Sequence, residues 1–85
     1  MVGYHCTTEK KMGQYIKTGA ILPPVRFWKY QDSAAQWCKR TSRNIILKIN
    51  TETEHPLPDH KPNGHAYWTP EGIREWVLMP NKEAK

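Results

Sequence analysis

Between Arg26 and Arg43, basic and aromatic side chains alternate more densely than anywhere else in the chain. Arg26, Lys29, Lys39, Arg40 and Arg43 are interleaved with Phe27, Trp28, Tyr30 and Trp37. Bases stack on such rings while the cations meet phosphates, the chemistry of single-strand nucleic-acid binding; the same residues also describe a helix with a solvated basic face. Further along, His55, His60 and His65 recur every five residues around Asp59. Imidazole and carboxylate are common zinc ligands. These histidines, however, lie among prolines with no cysteine nearby, the setting of solvated loop side chains, and no metal is expected. The two cysteines, Cys6 and Cys38, stand in neither a Cys-x-x-Cys pair nor another metal-type spacing and can form at most one bridge. A reduced compartment is the expectation. His5 with Thr7, and Glu75 at the head of an apolar run, complete the groups with acid–base or hydrogen-bonding capacity; taken singly, they also read as a strand-end histidine and a solvated charge.

The elements that must position these groups are legible from periodicity and caps. Tyr4 to Cys6 is a short β-compatible start. Thr7 or Thr8 can cap a helix with Glu9 in its first turn; Met12, Tyr15 and Ile16 mark its inner face, and Gly19 its end. Pro23-Pro24 forces an extended entry into a strand from Val25 to Tyr30, with Val25, Phe27 and Lys29 on one face. Asp32 or Ser33 can cap a second helix through Ala34, Ala35, Trp37 and Cys38, ending near Thr41-Ser42. The near-continuous apolar run Ile45 to Ile49 predicts a central strand covered on both faces. Asn50 to Gly64 reads as a long, polar, proline-broken loop, of the kind that is functional or mobile. His65 to Trp68 predicts a strand. Thr69-Pro70-Glu71 has the form of a helix start, but Gly72 opposes continuation, and Glu75 to Met79 reads as a strand; a helix from Pro70 to Leu78 is the alternative.

With 85 residues the chain has room for one domain, 1–80, with 81–85 a charged, frayed tail. A domain of this size buries only about 60% of its unfolded surface, so its aromatic side chains have a strong claim on the core. The order of elements predicts an α+β fold, two helices against a small mixed or split sheet. Lys plus Arg number 13 against 8 Asp plus Glu, a formal charge of +5, which favours an anionic partner. The amino terminus lacks the charged and apolar regions of a signal peptide, and no apolar run approaches about 18 residues. No membrane association and a cytoplasmic location are expected.

Taken in order, the segments resemble a minimal member of the ADP-ribosyltransferase superfamily, from its His-Tyr-Glu or tRNA 2'-phosphotransferase-like branch. Gly3-Tyr4-His5-Cys6-Thr7-Thr8 is similar to the His-x-Thr that ends the family's first strand, followed by a helix and a turn like Thr18-Gly19-Ala20-Ile21. Phe27 to Cys38 resembles the aromatic strand and alanine-bearing helix, Asn44 to Ile49 the central strand, and Arg74 to Pro80 the late strand opened by a glutamate. The resemblance implies NAD as cofactor, with His5 and Thr7 on its riboses. It also implies Phe27 or Trp28, or Tyr30 as the branch's tyrosine, as the stacking aromatic, and Glu75 as the carboxylate that stabilises positive charge as nicotinamide leaves. The implied function is NAD-dependent ADP-ribosyl transfer, or NAD or ADP-ribose binding by a relative that has lost catalysis. The alternative from the residues themselves is a small basic nucleic-acid-binding or protein-interaction module.

Overall fold

The computed structural model describes residues 1–57 and 66–80. Its elements run β1 (Val2–Thr7), α1 (Glu9–Thr18), β2 (Val25–Trp28), α2 (Gln31–Arg40), β3 (Ile45–Asn50), β4 (His55–Pro56), β5 (Ala66–Thr69) and β6 (Val77–Met79). The fold is α+β, and the six strands form one sheet in the order β4-β5-β2-β1-β3-β6. Every pairing is antiparallel, so the sheet is not mixed. No helix in the described residues is long and apolar enough to cross a membrane.

Alternation along the strands sorts the apolar side chains onto two faces. On one face Cys6, Trp28, Ile46 and Ala66 meet Ala34 and Cys38 of α2. On the other, Val25, Phe27, Leu47 and Ile49 are closed over by Ile21 and Ile73, with Met12 and Tyr15 of α1 and Trp76 packed at the margin. Ile21 and Ile73 also exchange backbone hydrogen bonds of 2.7 and 3.0 Å, which fasten the α1–β2 turn to the segment before β6. β3, paired with β1 on one side and β6 on the other, is covered on both faces as its composition predicts.

Helix α1 starts and stops at the expected residues. The Thr8 hydroxyl accepts from Lys11 N at 3.2 Å, and Gly19 takes the left-handed conformation (φ 76°) that a Cβ disfavours. Ile16, expected on the inner face, is 67% exposed. Consecutive helical residues point about 100° apart, so inserting Tyr15 turns Ile16 to solvent. Helix α2 begins at Gln31, with Tyr30 rather than Asp32 or Ser33 at the cap and Asp32 in the first turn. The strand before it ends at Trp28, and Lys29 is exposed beyond it rather than sharing a face with Val25 and Phe27.

After β5 the described residues form no helix. Thr69 Oγ1 accepts from Glu71 N at 3.2 Å, as a cap would, but the Glu71 carboxylate is taken by the loop after β3. The strand reading of this region holds over Val77–Met79. The loop predicted from Asn50 contains β4, a two-residue strand against β5; its part from 58 to 64, with Asp59 and His60, lies outside the described residues, as do His65 and the tail 81–85.

Candidate functional site: a basic cleft where the sheet divides

β1 is laddered to β3 along its whole length, from Val2↔Asn50 to Thr7↔Ile45, but it meets β2 at Tyr4↔Trp28 alone. Beyond that rung the strands part, and β2 continues against β5. The His5 side chain reaches into the parting: its Nδ1 lies 2.6 Å from the carbonyl oxygen of Arg26. The split leaves a cleft of about 690 Å³ between α1 and α2.

The hydrogen bonds set the state of His5. A carbonyl only accepts, so Nδ1 carries the proton, and Nε2 accepts from the Tyr15 hydroxyl at 3.1 Å. The same phenol oxygen accepts from Thr7 Oγ1 at 3.3 Å. A directed chain therefore runs from Thr7 through Tyr15 and His5 to the backbone of β2. Burial lowers the His5 pKa from its ordinary value; the Arg26 carbonyl opposes this, and the charges of Lys11 and Arg43 add to it. The imidazole is held neutral.

Around this floor stand Lys11 and Lys17 from α1, Arg26 from β2 and Arg43 from the turn after α2. Trp37 stands half-buried at the edge of the cleft, its ring centroid 5.4 Å from that of Trp28, which is buried in the core. Among the described residues no Asp or Glu lines the cleft. Cys6 Sγ donates to Ala34 O at 2.8 Å, and its hydrogen bond with Cys38, together with burial, holds its thiol far above the usual range. Cys6 is a protonated packing group, and both cysteines are free.

Of the residues singled out from sequence, the fold brings His5, Thr7 and Trp28 together, Thr7 through Tyr15. Phe27 points to the opposite face, fully buried over Gly3 and stacked on Tyr67 at 5.8 Å. Tyr30 caps α2 with its ring 48% exposed and Lys29 Nζ 5.6 Å above it. Glu75 is exposed and outside the lining, although the next residue, Trp76, packs edge-on against Tyr15 at 6.3 Å. Arg26 and Arg43 line the cleft; Lys29, Lys39 and Arg40 are exposed outside it. His55 stacks on Trp68, and the described residues contain no group of three or more metal-ligating side chains.

Tyr15, Lys11 and Lys17 are the contributors that the residue types alone do not reveal. Their signal is spacing: Lys11, Gln14, Tyr15 and Thr18 follow one face of α1, Lys17 lies three residues after Gln14, and all five line the cleft. The likeness to the ADP-ribosyltransferases rests on the residue pattern, since no family model, no curated protein and no solved structure matches this chain.

Proposed function

We propose that the cleft binds a nucleotide with linked phosphates, of the NAD or ADP-ribose kind. Charge carries the reading: Lys11, Lys17, Arg26 and Arg43 surround a space that no described carboxylate enters. Cations gathered in a concave, partly desolvated site concentrate an anion far more effectively than the same charges spread on a surface. Trp37, half-buried and backed by the buried Trp28, offers its exposed part to a base. ADP-ribosyl transfer would also require a carboxylate beside the departing nicotinamide. Glu75 stands outside the lining, so the support is for binding.

The test is titration of labelled protein with NAD, ADP-ribose, ADP and adenosine. The phosphate-bearing ligands are expected to shift His5, Tyr15 and the Trp28 and Trp37 indoles, adenosine to shift them far less, and Arg43→Ala to weaken binding. Millimolar NAD and ADP that leave all these signals in place would end the nucleotide reading. Glu75→Gln is expected to leave binding unchanged and stability within about 0.5 kcal/mol. NAD hydrolysis by the wild type that drops about a hundredfold in this variant would instead make Glu75 catalytic.

A further inference from the structure

Next to the cleft, three side chains form a row across the sheet on the face that carries Trp28. Register sets Arg26 of β2 opposite Trp68 of β5, and Trp68 opposite His55 of β4. Cross-strand neighbours on one face stand side by side. The adjoining row, Trp28 and Ala66, is roofed by Ala34 and Cys38 of α2. That helix lies against β1, β3 and β2, and the Arg26 row runs beyond it. There the imidazole of His55 stacks on the Trp68 indole, centroids 4.6 Å apart and planes 27° apart. His55 and Arg26 are exposed and Trp68 is half-buried.

The stacked pair, His55 exposed and Trp68 half-buried, covers one face of each ring and leaves the outer faces, flanked by a guanidinium, on which a further planar ring can lie. Arg26 belongs both to this row and to the cleft, so the two are one continuous surface. We propose that the row is a base-stacking platform, and that the nucleotide taken by the cleft is the terminal residue of a single-stranded nucleic acid whose next bases lie on Trp68 and His55. This rests on the reading of the cleft as a nucleotide site. Strand spacing of about 4.8 Å puts His55 roughly 10 Å from Arg26 across the row. Successive bases stacked on one another advance about 3.4 Å, so a strand crossing this distance has its bases separated and presented to protein rings. The Arg26 guanidinium meets a phosphate beside them, and contact through ring faces makes the binding tolerant of base identity.

Two probes separate the claims: ADP, which fits the cleft alone, and a short oligothymidylate with a 5'-phosphate. Each is titrated into wild type, His55→Ala and Arg43→Ala, with the Trp68 indole resonance as a local reporter. The oligothymidylate is expected to bind more tightly than ADP, to shift the Trp68 indole and to lose about tenfold in affinity in His55→Ala, while ADP binds that variant as it does the wild type. Arg43→Ala weakens both. Trp68→Leu, measured with the same ligands, guards against a local rearrangement of β4. An oligothymidylate that binds no better than ADP, or equally well without His55, overturns the platform and leaves the cleft standing. Oligothymidylate binding that depends on His55 without any ADP binding supports the platform and overturns the cleft reading. Silence from both ligands removes both.

Discussion

Tyr15 shows how much of a site can turn on one hydroxyl. It satisfies His5 Nε2 and Thr7 Oγ1 together, and Thr7 is fully buried. Tyr15→Phe keeps the ring and strands both partners, so a loss of about 1–2 kcal/mol in urea unfolding is expected. Burial lowers the His5 pKa, so followed by NMR it should lie below 6.5 in the wild type; the Tyr15 bond also favours the neutral ring, so the pKa should rise in Tyr15→Phe. Because the folded pKa is depressed, the stability that neutral His5 contributes is complete above the unfolded value of 6.5 and declines as pH falls below it. A wild-type His5 titrating above 6.5 would contradict its burial beside the Lys11 and Arg43 charges. His5, singled out in sequence by the His-x-Thr resemblance and otherwise an ordinary strand histidine, lines the cleft. Tyr15 reads from sequence as an ordinary inner-face aromatic, since nothing local to α1 records that β1 and β2 part beside it.

Among the elements, the loop after β3 is held by a side chain rather than by a ladder. The Glu71 carboxylate accepts from Glu52 N at 2.9 Å, from Thr53 N and Thr53 Oγ1 each at 2.6 Å, and from Thr69 Oγ1 at 3.0 Å. Bonds from the Thr53 hydroxyl and the Glu52 and Thr53 amides lower its pKa to about 2. A depressed carboxylate stabilises the fold above its unfolded pKa of 4.5 and loses that contribution as pH falls toward 2. Glu71→Gln should therefore melt earlier than wild type at neutral pH, with the gap closing in acid; parallel melting curves at all pH values would refute the clamp. This is also where the sequence misled. Thr69-Pro70-Glu71 carries a helix-start pattern, and the local Thr69–Glu71 bond forms, but the glutamate is claimed by residues 52 and 53, a contact invisible to any local pattern. The capped helix α1 and the apolar run of β3 were legible because their signals are local.

At the scale of the whole molecule, the domain measures 32 × 31 × 17 Å, one sheet with a single thin layer on each side. Such a core has little spare volume, and Gly3 marks its tightest approach: a Cβ there would lie 2.2 Å from Phe27 Cδ2. Phe27 is fully buried and backed by Tyr67, so it has no open side to retreat into. Gly3→Ala is expected to cost about 1–3 kcal/mol and to lower the melting temperature by about 4–8 °C for each of them; an unchanged melt would show that Phe27 repacks freely. The split in the sheet has its own consequence for how the molecule breathes. Its two leaves, β1-β3-β6 and β2-β5-β4, are joined at the Tyr4↔Trp28 rung and across the His5–Arg26 bond. The ladder is thinnest at this seam, so amides of β1 and β2 that lack a cross-strand partner there should exchange faster than those laddered to β3 or β5. Helix α2 and the Ile21–Ile73 bonds hold the leaves together. A ligand gripping both leaves acts as a staple on the spine of a book, slowing exchange in each leaf at once and stabilising the domain by mass action.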